Sequence, residues 1–205
     1  MEIQRKTDTY IYQKDTIIKL QAQNQRLEKL NITLTKKAYD TNPLSIPNIN
    51  PNLQHVNLLS YVNFKDFTQV WIDYVPKNDH YVGLIYDNNA VGIVQKKDNK
   101  AIAYLNGNDK CNYTVFIGEA KAPAIIHSMS NSNLLKARYI PLWSKINVGD
   151  QVSTSGKDKI FFEGLSVGTV LQINKKPDSL EAIIQPNINV LNKKSFYLYL
   201  QKNIN

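Results

Sequence analysis

Ser155 is the residue whose surroundings most invite a catalytic interpretation. It lies in a stretch from Gly149 to Val170 that glycines interrupt repeatedly. The β-rich part of the chain is long enough for two small β-barrels, and one class of Ser/His/Asp hydrolases is built of two such barrels. Ser155 is followed by Gly-Lys-Asp-Lys, however, and lacks the glycine-framed sequence that usually supplies a backbone oxyanion hole. A barrel-type serine hydrolase is therefore the minority hypothesis.

The other reactive side chains form no pattern that holds a cofactor or a metal ion. The single cysteine, Cys111, excludes an internal disulfide, and the three histidines lack the spacing of metal ligands. Asp158 and Glu163 lie in a predicted loop, where exposed charge is the simpler interpretation than an acid/base pair. We predict no catalytic residue, no metal site and no cofactor. The histidines are His55, His80 and His127.

The net charge of +8 raises a second alternative, a basic adaptor that binds nucleic acid. The lysines are scattered in short pairs beside Asn, Asp or Pro, which favours solvated turns over a binding stripe. A weaker alternative is attraction to an anionic polymer or an acidic membrane surface. We therefore expect no nucleic-acid partner.

Residues 1–39 are predicted to form one long helix. From Glu2 to Tyr39 the chain has no Gly or Pro, and at about 1.5 Å per residue the helix would be roughly 50 Å long. Its apolar stripe follows a heptad pattern that is best from Ile17 to Leu34, which favours a coiled-coil dimer over a lone amphipathic helix. The predicted seam residues are Ile17, Leu20, Asn24, Leu27 and Leu34, with Asn24 setting the register.

A change of pattern follows the helix. Residues 40–51 contain Pro43, Pro47 and Pro51 and are predicted to form a semi-stiff linker. Beyond them, eleven short β-rich runs, from Gln69–Val75 to Ser195–Leu200, alternate with Asn/Asp/Gly turns. The predicted fold class is mainly β: the helix, a first small antiparallel barrel or sandwich over residues 52–108, and a second over residues 109–205.

Two pairs of aromatic residues are candidates for contact with a partner. Phe161 and Phe162 lie at the predicted loop of the Gly149–Val170 stretch, where large apolar groups are either tucked under the loop or offered to another protein. We expect Phe162 to be tucked and Phe161 to be the freer residue. In the last predicted strand, Tyr197 and Tyr199 alternate with an apolar face and are expected to point outward.

The glycine-rich stretch also carries a family resemblance. The matching residues are Gly149-Asp150, Val152, Thr154-Ser155-Gly156, Phe162, Gly164-Leu165 and Val167-Gly168-x-Val170, with weaker matches at Asn89 to Val94 and at Tyr139-Ile140-Pro141. In these residues the chain resembles MreC, the bacterial rod-shape scaffold family. The order of helix, linker and two β-domains resembles the extracytoplasmic part of that family.

The resemblance implies a non-enzymatic, periplasmic scaffold of the cell-elongation machinery that forms dimers or filaments. The partners that it implies are a class B penicillin-binding protein, which the scaffold recruits and activates, together with MreD and the actin-like cytoskeleton. The family's N-terminal transmembrane helix is not found in this sequence, which implies a chain that begins just after the anchor.

Overall fold

A computed structural model describes residues 2–41, 52–77, 80–129 and 132–200. The chain divides into two compact units, Met1–Ile46 and Pro47–Asn205. The first unit contains helix α1 (Glu2–Thr41), whose length follows from the absence of helix-breaking residues. Apart from its first two residues, which are helical, the predicted linker 40–51 lies outside the described residues. No helix in the described part of the chain is long and apolar enough to cross a bilayer.

The second unit is built of β-strands, twelve of which fall within the described residues. They are β1 (Leu53–Asn63), β2 (Asp66–Ile72), β3 (Val82–Tyr86), β4 (Asn89–Lys97), β5 (Lys100–Leu105), β6 (Tyr113–Ile117), β7 (Ala122–Ser128), β8 (Leu135–Ile140), β9 (Gln151–Thr154), β10 (Ser166–Lys175), β11 (Leu180–Pro186) and β12 (Ser195–Tyr199). The protein is thus mainly β with an N-terminal helix. Strand β1 has no counterpart among the strands expected from the sequence.

Six strands close into a first ring, in the order β1-β2-β5-β4-β3-β12 and back to β1. Strand β12 was expected in the second β-domain, but it pairs with β1 and β3 in this ring. The reason lies in its apolar face, because Phe196 and Leu198 are fully buried in a core that also contains Val56 and Leu84. Burial of these two side chains favours the pairing of β12 with β1, at the start of the β unit.

A second ring contains β6-β7-β8-β11-β10-β9, and β9 closes on β6. The glycines of the Gly149–Val170 stretch serve this ring in two ways. Gly149, Gly156 and Gly164 have positive φ angles. At Gly168 a Cβ atom would lie only 2.1 Å from the carbonyl oxygen of Gln185 on β11, so the two strands approach too closely for any side chain.

The rings join within a single unit. Strand β10 of the second ring makes a short parallel contact with β4 of the first, at Ser166 and Asn89. The amide group of Asn187 also donates a hydrogen bond to the Asn89 side-chain oxygen, at 3.2 Å. These contacts hold the beginning of β10 against the first ring.

Candidate partner-binding site

The loop from residue 155 to residue 165, between β9 and β10, is fixed by buried hydrogen bonds at its base. The hydroxyl of Thr154 donates to the carbonyl oxygen of Phe162 at 2.6 Å and accepts from the amide of Leu165 at 3.0 Å. The backbones of Thr154 and Leu165 form a further hydrogen bond of 2.9 Å. Because Thr154 is completely buried, these groups have no water to replace a lost partner. The loop is therefore a rigid structural element.

Ser155 belongs to this structural network and not to a catalytic triad. Its hydroxyl lies 2.6 Å from the Thr114 hydroxyl, and its amide donates to the Thr114 carbonyl oxygen at 3.1 Å. Its other hydrogen bond within the described residues comes from the Lys157 amide. None of these partners is a histidine, so the hydrogen bonds of Ser155 give no support to the hydrolase alternative.

The two carboxylates of the loop have structural partners as well. Asp158 accepts hydrogen bonds from the amides of Thr114 and Ile160, which fixes the loop onto β6. Glu163 forms an ion pair with Lys121 at the surface. Among the described residues, no cluster of His, Cys, Asp and Glu side chains has the arrangement of a metal site.

Phe162 was expected to be tucked under the loop and is buried, but the expectation that Phe161 would be the freer residue was wrong. Phe161 is only 2% exposed, and its ring packs edge-on against Tyr113 at 5.1 Å. The same ring fills the space above Gly83 of β3, where a Cβ atom would lie 2.4 Å from it. Phe162 packs on the ring of Tyr199 in β12. Both side chains are buried because the loop lies against the first ring, where Gly83 and Tyr199 contact them, while Tyr113 of the second ring covers Phe161 from the other side.

The terminal strand was also predicted only in part. Its apolar face is buried as expected, but Tyr197, expected to point outward, is only 9% exposed and packs against His55. Tyr199 is partly exposed and lines a groove of about 700 Å³ together with Tyr74, Tyr81 and Ile160. Of the four predicted contact residues, Tyr199 alone remains accessible.

A different set of apolar side chains is exposed, on the second ring. We call it the Trp143 face. The segment between β8 and β9 runs alongside β10, because the amide of Gly149 donates to the Val170 carbonyl oxygen at 2.9 Å. Next to that bond, Leu171 is the extra residue of a β-bulge, a feature that redirects a side chain outward. Trp143 is 79% exposed. The Trp143 face consists of Tyr139, Leu142, Trp143, Val148 and Leu171, all exposed.

One edge of the Trp143 face is held in a constrained conformation. Tyr139 has a φ angle of +62°, which is costly for an aromatic residue and must be imposed by its neighbours. Its ring lies against His127 and beneath the Arg138 guanidinium, 5.3 Å from the ring centre. Arg138 in turn donates to the buried carboxylate of Glu181 at 3.0 Å. Burial, with the nearby cation of Arg138, lowers the pKa of His127.

The sequence did not reveal the Trp143 face. Leu142 and Trp143 follow a strand directly, and apolar residues at such positions are most often buried. The only available signal was the pair Leu-Trp between Pro141 and a polar turn, which does not distinguish exposed from buried side chains.

Comparison with known proteins gives this architecture a family. A family model for the rod shape-determining protein MreC, barrel core, matches residues 72–199. A search among curated proteins found no match. Among solved structures, a chain from a complex between penicillin-binding protein PBP2 and MreC of Helicobacter pylori is 25% identical, with a TM-score of 0.66. The alignment covers 73% of this chain and 99% of that one.

Two further structures show the same fold at lower identity. MreC of Listeria monocytogenes is 21% identical with a TM-score of 0.64, over 84% of this chain and 88% of that one. MreC of Pseudomonas aeruginosa is 18% identical with a TM-score of 0.56, over 73% and 99%. Since the family model matches more than half of its residues, the chain belongs to the MreC family of rod shape-determining proteins.

Proposed function

We propose that this chain is an extracytoplasmic scaffold that binds a class B penicillin-binding protein and has no catalytic activity of its own. The observation that carries the proposal is the similarity to a chain of the PBP2–MreC complex from Helicobacter pylori, which extends over 99% of that chain. The structural role of Ser155 agrees with a binding function.

The Trp143 face is our candidate for the surface that contacts the synthase. Trp, Tyr and Arg are the residues that most often dominate binding energy in protein interfaces. Here the Arg138 guanidinium lies over the Tyr139 ring, and the exposed Trp143 follows four residues later in the chain. Leu142 and Val148 extend the apolar area around them. A side chain that is already held in one conformation loses little entropy on binding, so the constrained Tyr139 favours affinity.

We expect Trp143→Ala to weaken binding of the purified penicillin-binding protein ectodomain about thirty-fold, as the loss of about 2 kcal/mol at an interface hot spot requires. Biolayer interferometry with the partner from the same organism measures the change. Phe64→Ala is the matched control, because Phe64 is equally exposed but lies on the first ring. Equal affinities for both variants would remove the Trp143 face from the interface. Tyr199→Ala, measured in the same assay, tests whether the groove that Tyr199 lines contributes to synthase binding.

We further propose that α1 forms a coiled-coil dimer. Ile17, Leu20, Leu27 and Leu34 are each about half exposed, and Asn24 lies on the same stripe. Leucines at alternate three- and four-residue spacing bury this surface when two such helices pair.

Leu27→Lys is expected to shift the chain from dimer to monomer, because a lysine in the seam places a charge at an apolar contact. Sedimentation velocity at several protein concentrations measures the change. Ile18→Lys is the control, since Ile18 is as exposed as Leu27 but lies off the heptad seam. A native chain that stays monomeric at every concentration would contradict the coiled coil.

The remaining parts of the proposal follow from family membership. They are a periplasmic location, activation of the bound synthase, assembly of dimers into filaments, and contact with MreD and the actin-like cytoskeleton in the full-length protein. Contact with MreD and with the cytoskeletal protein is open to the same binding measurements.

A further inference from the structure

The hairpin between β1 and β2 displays a second apolar surface, separate from the Trp143 face. Phe64 at its turn is 87% exposed, the highest value of any large apolar side chain in the described residues. Tyr61 and Phe67 flank it and pack edge-on at 4.9 Å. We call Phe64, Tyr61 and Phe67, with Lys65, the hairpin tip.

Hydrogen bonds fix the backbone of the hairpin turn. The side-chain oxygen of Asn63 accepts hydrogen bonds from the amides of Lys65 and Asp66, both at 2.9 Å, which fixes the turn around Phe64. One step further from the turn, the Asp66 carboxylate accepts from Thr68, from Gln69 at 2.7 Å and from Asn108 at 3.0 Å. Polar contacts thus fix the backbone on both sides of the exposed Phe64.

The two charged residues of the hairpin, Asp66 and Lys65, have different surroundings. Burial would raise the pKa of Asp66, but the hydrogen bonds from Thr68, Gln69 and Asn108 outweigh it and lower the pKa, so this carboxylate stays ionised and engaged at the hairpin base. At the turn itself, Lys65 is exposed, and within the described residues it has no ion-pair partner. The tip therefore combines three aromatic rings with the positive charge of Lys65, on a chain of net charge +8.

We propose that the hairpin tip inserts into the interfacial region of an anionic lipid bilayer. Aromatic rings with an adjacent lysine suit this region, because the rings reach the boundary of the acyl chains while the ammonium group stays among anionic headgroups. The charge complementarity favours a membrane over the apolar pocket of a protein, which would have to desolvate Lys65 next to Phe64. The excess positive charge of the whole chain acts in the same direction.

Co-sedimentation of the full chain with lipid vesicles tests the proposal. We expect binding to vesicles that contain phosphatidylglycerol and phosphatidylethanolamine, and at least tenfold weaker binding to pure phosphatidylcholine vesicles. Phe64→Ser should reduce binding to the anionic vesicles about tenfold, and Lys65→Glu should reduce it by a similar factor at low salt. Because both side chains are exposed, both variants should keep the native midpoint of urea denaturation.

Trp143→Ser is the matched control, since it removes another highly exposed aromatic ring, from the second ring of strands, and should leave vesicle binding unchanged. Equal loss in Phe64→Ser and Trp143→Ser, or no loss in either, would overturn the proposal. So would a Phe64→Ser variant that binds vesicles normally but no longer binds the penicillin-binding protein, because the hairpin tip would then be a protein contact. Failure of the scaffold proposal is measured separately, with the native chain and the ectodomain.

Discussion

Replacing Gly168 by alanine is expected to lower the free energy of unfolding by about 3 kcal/mol. The new Cβ atom would lie 2.1 Å from the Gln185 carbonyl oxygen and 2.8 Å from the Ile184 side chain. The first of these atoms belongs to the backbone of β11, so relief requires the paired strands β10 and β11 to separate. Overpacking against backbone is costlier than against a flexible side-chain end, which can rotate away.

Urea denaturation followed by far-UV circular dichroism measures the effect. Gly149→Ala is the control that isolates backbone strain from steric overlap, because Gly149 has a φ angle of +95° but nothing lies within 4 Å of its added Cβ atom. We expect it to cost about 1 kcal/mol. If Gly168→Ala were no more destabilising than Gly149→Ala, the close approach of β10 and β11 would be wrong.

Phe161→Ala is expected to cost about 3–5 kcal/mol of stability, the usual range for a fully buried phenylalanine. The truncated side chain leaves a cavity between the rings of strands, where Phe161 now contacts Tyr113 and covers Gly83. Strand β3 is also bonded to the loop, because the Gly83 amide donates a 3.1 Å hydrogen bond to the Ile160 carbonyl oxygen. Loss of Phe161 therefore weakens the contact that joins the loop of the second ring to the first.

The same substitution at Phe64 serves as the control, since it removes the same atoms from a side chain that is 87% exposed. Phe64→Ala should change the free energy of unfolding by less than about 0.5 kcal/mol. A Phe161→Ala variant that unfolds at the native urea concentration, yet loses affinity for the synthase, would show that Phe161 is a contact residue after all.

These effects explain which features the sequence could reveal. Most strands were predicted, because residues such as those of Tyr113–Ile117 alternate between apolar side chains on the buried face of the strand and other side chains on its opposite face. Glycine positions were informative for a similar reason: Gly156 and Gly164 adopt positive φ angles that other residues avoid. Strand β1 was missed because its burial alternates poorly beyond Val56.

Ring closure and the contact surfaces could not be predicted in the same way. The return of β12 to β1 joins residues more than a hundred positions apart, and no local pattern specifies that pairing. Burial of Phe161 depends on β3 and β6, which lie far from it in sequence. Exposure of Trp143 depends on the path of its segment beside β10. A local pattern identifies an apolar residue but not which other element covers it.

The two exposed surfaces suggest a division of roles between the rings of strands. In our proposals, the Trp143 face of the second ring contacts the synthase and the hairpin tip of the first ring contacts lipid. Measuring both Trp143→Ser and Phe64→Ser in the vesicle assay and in the synthase assay separates the two roles. Trp143→Ser should weaken only synthase binding, and Phe64→Ser should weaken only vesicle binding.

Binding of the native chain to the ectodomain of the class B penicillin-binding protein from its own organism tests the central claim most directly. With the ectodomain immobilised for biolayer interferometry, the scaffold account predicts saturable binding that Trp143→Ala weakens about thirty-fold. Absence of any binding by the folded native chain at about 100 µM, where even a weak specific interface gives a signal, would contradict it.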